Sequence, residues 1–247
     1  MSNDATDLAR SALREIPALA NVDPASVSIE RLGGLTNLVF RIASGGNTWC
    51  LRLPGKGTEE YINRADEAQA ATEAARAGVS PAVIHADPDG GIMVTDFVDG
   101  ATTMTPDLFK SIEGSPGRAG MAFRALHESD ARFNFRFELF SMIDEYLGIL
   151  SEKTVTLPEG YHEVLEEAEG VRKALEAHPL PSAACHCDPL CENFLDTGER
   201  MWIVDWEYSG MNDPMWDLGD LSVEAGFDED QEAEMMAAYF DGAPLPA

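Results

Sequence analysis

The chain has 247 residues, 45% hydrophobic and 25% charged, with 44 acidic against 17 basic side chains and a formal net charge of -27. That profile excludes global disorder. The charge also repels polyanions at long range, so nucleic acid and anionic membrane surfaces are not expected partners. Most of the acidity reads as a solvated surface, although a cationic ligand would be drawn toward it.

The length allows one sizeable core or two modest ones. No apolar run approaches a membrane span, and Met1 to Arg14 lacks the basic and apolar regions of a signal peptide, so a cytoplasmic location is expected. Cys185, Cys187 and Cys191 crowd around His186, with Cys50 far upstream. The cluster lacks the two-residue gaps of common zinc knuckles, and free thiols are expected.

In chain order, an amphipathic helix over Asp4 to Ile16 precedes a strand at Val27 to Arg31, the glycine loop Leu32-Gly33-Gly34-Leu35-Thr36-Asn37 and a strand at Leu38 to Ala43. Ser44 to Asn47 turns the chain into a strand at Thr48 to Leu53, and Asn63 to Ala77 is predicted as a helix stopped near Gly78. Ile84 and Ile92 to Phe97 read as further strands. Beyond Gly100 the periodicity turns helical: Pro106 suits a first helical position, and Met121 to Glu128, Phe137 to Leu150 and Tyr161 to Ala177 repeat apolar residues at three and four spacing. A short strand pair follows, Asn193 to Asp196 and Met201 to Asp205, then helices at Met215 to Gly226 and Asp228 to Phe240. The expected fold class is therefore α+β and bilobal: a β-rich N-lobe over 1-99 and a mainly helical C-lobe over 100-247 with a hairpin inside it.

The segment His186-Cys187-Asp188-Pro189-Leu190-Cys191-Glu192-Asn193 has the spacing of a kinase catalytic loop, His-x-Asp with four residues before Asn. The apolar strand Ile203-Val204 then ends in Asp205. Phosphoryl transfer requires a carboxylate to orient the attacking hydroxyl and take its proton, which places Asp188 as catalytic. It also requires oxygen ligands for Mg²⁺, which suits Asn193 and Asp205, since a hairpin between them returns both to one end. His186 reads as a structural residue that holds the loop.

The run Ile203-Val204-Asp205-Trp206-Glu207-Tyr208-Ser209-Gly210-Met211-Asn212-Asp213-Pro214-Met215-Trp216-Asp217-Leu218, with the later Glu224, resembles the choline/ethanolamine kinase branch of the aminoglycoside-phosphotransferase-like, protein-kinase-like superfamily. The likeness extends from Arg31 to about Glu224. It implies a protein-kinase-like fold and ATP- and Mg²⁺-dependent transfer of a γ-phosphate to the hydroxyl of choline or a similar amino alcohol. By the same likeness Gly33, Gly34, Thr36 and Asn37 form the nucleotide loop, whose amides cradle phosphate oxygens. Arg52 serves the α- and β-phosphates in the place where protein kinases keep Lys, with Glu67 as its helix partner. Asp96, Phe97 and Val98 form the hinge that reads adenine through backbone groups.

A quaternary ammonium donates no hydrogen bond, so only aromatic faces and negative charge can hold it. Tyr208 and Glu224 resemble the family residues that supply one of each. Trp216 could add a ring, although both it and Trp206 more often pack in a core. Glu192, inside the catalytic loop, could also meet a cation. Glu207 and Asp217 could hold either the loop or the substrate. Family members usually continue through further helices, whereas this chain stops at Ala247, so part of the cage is expected to be missing. Another cationic alcohol, an aminoglycoside or thiamine, is the alternative acceptor. An inactive nucleotide-binding module is the alternative class, against which the joint presence of Asp188, Asn193 and Asp205 argues.

Overall fold

The computed structural model describes residues 2–23, 25–33, 37–55, 57, 62–153 and 155–241. The chain opens with α1 (Ser2–Ala12) and a 3-10 turn at Pro17–Leu19, then lays down β1 (Ser28–Gly33), β2 (Leu38–Ser44) and β3 (Asn47–Leu53). The helix expected to reach Ile16 stops at Ala12, and a turn carries Leu13 and Ile16 into the core. After α2 (Arg64–Arg76) come β4 (Val83–Ala86) and β5 (Met93–Asp96), and the five strands form one antiparallel sheet in the order β1-β2-β3-β5-β4. Alternation along β2 and β3 turns Phe40, Ile42, Leu51 and Leu53 inward, where they meet Val94 and the apolar side of α1, Ala9, Leu13 and Ile16.

The remainder is mainly helical. It comprises β6 (Thr102–Thr103), α3 (Pro106–Ser111), α4 (Ser115–His127), α5 (Leu139–Glu152), α6 (Tyr161–Ala177), β7 (Ala183–Cys185), β8 (Phe194–Asp196), β9 (Met201–Ile203), β10 (Gly210–Asn212), α7 (Met215–Ala225) and α8 (Glu229–Phe240). Start signals agree with local chemistry. Asn63 caps α2 by accepting from the amides of Ala65 and Asp66, and Asp228 and Gln231 close a reciprocal capping box on α8. α4 begins six residues before the expected Met121, with Gly114 at φ 77 as N-cap and Pro116 in the first turn.

The larger core, built from Phe109, Phe123, Leu126, Phe194, Ile203, Leu221 and Met235, also takes in Ala70, Ala71 and Ala74 of α2. The helix between β3 and β4 is thus anchored in the other half, and the small side chains permit that close approach. Ile203 donates its amide to Val79 O at 2.9 Å and Trp206 Nε1 to Ser80 Oγ at 3.0 Å, so the segment after α2 is tied to the β8–β9 hairpin. The hairpin is held from behind by Arg118 of α4, whose fork meets both oxygens of buried Asp196 at 2.9 and 2.6 Å. No helix among the described residues is long and apolar enough to cross a membrane.

Candidate active site

The loop from β7 to β8 is suspended between two short strands that periodicity missed, β7 and β10, paired with Cys185 opposite Gly210. Its conformation depends on one buried carboxylate. Asp217, fully buried on α7, accepts the amide of His186 at 2.7 Å and of Cys187 at 2.8 Å. Cys187 sits at φ 66, a left-handed backbone uncommon for a residue with a side chain. The choice left open for Asp217 is thereby decided: it holds the loop. His186 is fully buried against Trp206, its Nε2 lies 3.0 Å from Val204 O, and its carbonyl accepts from Ser209 Oγ at 3.1 Å.

Asn193 ends a 3-10 turn, Cys191–Asn193, and is 8% exposed. Its Nδ2 donates to Asp188 O at 3.0 Å, which leaves Oδ1 as the oxygen donor. Its carbonyl accepts the Val204 amide at 2.9 Å, so Asp188, Asn193 and the entry to Asp205 are joined through two hydrogen bonds. Asp205 corrects one expectation. The strand stops at Ile203, and Asp205 lies beyond it in a loop at φ 71. Arg52 Nη1 meets Asp205 Oδ1 at 2.8 Å, and Arg52 Nη2 pairs with Glu67.

Glu207, left open between the loop and the substrate, directs its carboxylate at the first half of the chain: Asn37 Nδ2 donates to it at 3.1 Å, Arg64 Nη1 lies at 3.5 Å and Arg52 Nη1 at 4.0 Å. Arg64 also reaches Glu67 at 2.8 Å, giving a network of two guanidinium groups and three carboxylates. Burial lowers the affinity of Arg52 for its proton, but Glu67 and Asp205 more than offset this, and its pKa is raised. For Asp205 burial wins, so its pKa is raised despite Arg52. The oxygens of Glu67, Asp205 and Glu207 lie within 4.8 Å of one another. Such a set of hard oxygen donors fits Mg²⁺.

The other end of the loop is different. Burial raises the pKa of Asp188, with His186 opposing and Glu207 and Glu224 adding to the rise. Asp220, which sequence reasoning missed, is raised to about 6 by burial, then by Glu224, Asp188 and Asp217. Asp217, Asp220 and Glu224 recur along one face of α7, the only signal from which Asp220 could have been found. Among the described residues no Lys or Arg forms an ion pair with Asp188, Asp220 or Glu224.

Trp216 packs at a tilt on Phe137 with centroids 5.7 Å apart, and its Nε1 donates to Cys187 O at 3.4 Å. Tyr208 is half-buried in the loop between β9 and β10, and Glu192 is exposed on the 3-10 turn. At the hinge, the Asp96 amide is taken by Ala82 O at 2.9 Å and the Phe97 amide by Thr48 O at 3.4 Å, leaving Val98 as the one of the three with its amide outside those bonds. Gly33 closes β1, whereas Gly34, Leu35 and Thr36 lie outside the described residues. The cysteines do not converge. Cys185 and Cys187 pack with Phe137 and Trp216, Cys191 belongs to the larger core, and all four thiols are free.

A five-stranded antiparallel sheet joined to a helical half, with the loop and hairpin at their junction, is a protein-kinase-like fold, and solved structures bear this out. A choline/ethanolamine kinase family protein from Mesorhizobium loti superposes with a TM-score of 0.86 at 64% identity, covering 98% of this chain and 78% of that one. The choline kinase LicA of Streptococcus pneumoniae gives 0.71 at 28%, covering 86% and 74%. The chain belongs to the phosphotransferase enzyme family, whose model matches residues 28–247. It is 26% identical over 219 residues to protein LicA of Haemophilus influenzae and 27% identical over 229 to a probable ethanolamine kinase of Arabidopsis thaliana. These alignments cover 87% and 85% of this chain but only 63% and 59% of those relatives.

Proposed function

We propose that the chain transfers the γ-phosphate of ATP to the hydroxyl of choline or a similar amino alcohol. The observation that carries this reading is the division of the acidic groups. Glu67, Asp205 and Glu207 are paired with Arg52 and Arg64, whereas among the described residues no Lys or Arg forms an ion pair with Asp188, Asp220 or Glu224. The first set suits a cation–phosphate complex, and the second suits a cationic acceptor whose hydroxyl lies at Asp188.

In this reading Asp188 accepts a hydrogen bond from the acceptor hydroxyl, aims its oxygen at the γ-phosphorus and takes the proton as the phosphorus–oxygen bond to ADP breaks. Its raised pKa helps it keep that proton. Asn193 and Asp205, with Glu67 and Glu207 nearby, would hold Mg²⁺, which when bound neutralises charge on the phosphate oxygens. Arg52, fixed between Glu67 and Asp205, faces the same oxygens, and Val98 offers its backbone to adenine. Tyr208 and the Trp216 ring would contact the ammonium group. Relatives named as choline and ethanolamine kinases support the acceptor class.

The test is ADP release with ATP and Mg²⁺ against choline, ethanolamine, thiamine and an aminoglycoside, with the product identified by mass. Choline or ethanolamine should give the highest kcat/KM. Turnover confined to thiamine or the aminoglycoside overturns the acceptor assignment, and no turnover with any of them overturns the activity.

A further inference from the structure

Behind the catalytic loop a buried line of side chains connects Asp217 to the last described helix. Tyr239 Oη of α8 lies 2.9 Å from His127 Nδ1, at the end of α4, and His127 Nε2 lies 3.0 Å from Asp217 Oδ2. The side chains of His127 and Asp217 are 2% and 0% exposed, and Tyr239 is 8% exposed. His127 also stacks on Phe123 with centroids 5.7 Å apart, so its ring cannot turn freely.

The hydrogen-bond directions follow from Asp217. Its oxygens already accept two amides, so the ring nitrogen facing it is the donor, and Nε2 carries the hydrogen. In the neutral ring Nδ1 is then an acceptor, and the Tyr239 hydroxyl supplies its hydrogen. Without that hydroxyl Nδ1 is left buried and unpaired, and the ring is held only by its bond to Asp217 and its stack on Phe123. Asp217 would then be held less firmly in the position that restrains Cys187, the left-handed residue immediately before Asp188.

We propose that His127 and Tyr239 are positioning residues, which fix Asp217 and through it the backbone that aims Asp188. The kinetic consequence rests on the role proposed for Asp188, but the structural consequence does not. The same three elements bring the donor atoms of His127, Cys185 and Asp217 within 4.8 Å, yet hydrogen bonds already occupy the atoms of His127 and Asp217. The cluster is therefore a hydrogen-bond relay and not a metal site.

The experiment compares Tyr239→Phe, His127→Gln and His127→Leu in the full chain with two readouts. Amide exchange followed by NMR should accelerate at His186 and Cys187 by about tenfold or more in Tyr239→Phe, while core amides such as that of Phe40 keep their protection. The kcat for the best acceptor should fall about tenfold with KM for ATP within about twofold. His127→Gln, which keeps a donor toward Asp217, should recover part of both losses seen in His127→Leu. Unchanged exchange at His186 and Cys187 in Tyr239→Phe overturns the proposal, as does protection lost equally throughout the chain. If His127→Leu does not fold, Tyr239→Phe alone decides. A wild type without turnover would refute the proposed activity, and the exchange readout would still decide the relay.

Discussion

Replacing Arg52 by Met tests the electrostatics of the nucleotide side. The guanidinium is 11% exposed and lies between Glu67, whose side chain is 1% exposed, and Asp205 at 2.8 Å. Met fills similar volume, so the lost quantity is the charge. Removing one partner of a buried pair costs about 3–5 kcal/mol because the other is left uncompensated. Here Glu67 keeps Arg64 at 2.8 Å, which favours the low end, about 3 kcal/mol. For a chain of this size that is a fall in Tm of about 6–12 °C in EDTA. The same variant leaves three carboxylates with one guanidinium, so Mg²⁺ should raise its Tm more than that of the wild type, through preferential binding to the folded state. Arg52→Lys should fall between, since one ammonium cannot span both carboxylates as a planar fork does. Thermal melts with and without millimolar Mg²⁺ decide the matter. A variant within about 2 °C of wild type in EDTA, or a smaller Mg²⁺ shift than wild type, refutes the reasoning.

Three further predictions concern separate parts of the molecule. Asp188→Asn should lower kcat by about 10²–10⁴-fold while the ATP dissociation constant stays within about threefold, as checked by turnover and calorimetry. Asp220 holds its proton to about pH 6 in the folded chain against an ordinary 3.8, so its ionised form opposes folding above pH 6 and that cost fades as pH falls toward 4. Asp220→Asn should therefore raise Tm by about 2–4 °C at pH 8, have little effect near pH 4, and raise KM for a cationic acceptor. At Gly120 an added Cβ would overlap the Met235 carbonyl oxygen and lie 3.3 Å from Tyr239 N, so α4 and α8 must separate. Gly120→Ala should lose about 1–3 kcal/mol from overpacking, less up to about 1 kcal/mol gained in helix propensity, read as a lower urea midpoint.

What could be read in advance was what lies close together in the chain. His186, Asp188 and Asn193 share one loop and Asp205 follows across a hairpin, so residue type and spacing were enough to bring them to one place. The role of Glu207 could not be decided in advance because its partners, Asn37, Arg52 and Arg64, come from the first half of the chain. Asp220 and His127 went unnoticed for a related reason. Each occupies a helix whose polar positions are ordinarily solvated, and only the docking of α7 and α4 behind the loop brings them beside Asp188 and Asp217. β7 and β10, at three residues each, are too short to show a two-residue period, although they suspend the catalytic loop.

A net charge of -27 would seem to explain affinity for a cation without any particular site. Screening argues otherwise, because at physiological salt the field of exposed charges fades over about 8 Å, so remote surface carboxylates contribute little to holding a ligand in the cleft. The groups that remain are the buried and half-buried Glu67, Asp205, Glu207, Asp188 and Asp220, and they divide by their neighbours. Beside Arg52 and Arg64 the carboxylates are already paired with guanidinium groups, and a bare organic cation gains less there. Among the described residues no Lys or Arg pairs with Asp188 or Asp220, and Asp220 is raised to about 6 by burial first and then by the neighbouring charges of Glu224, Asp188 and Asp217. A bound ammonium group would offset those charges while its hydroxyl lies at Asp188. In the proposed function, selection for a cationic alcohol and activation of its oxygen would be two effects of the same acidic groups, and the acidity of the outer surface would be incidental to both.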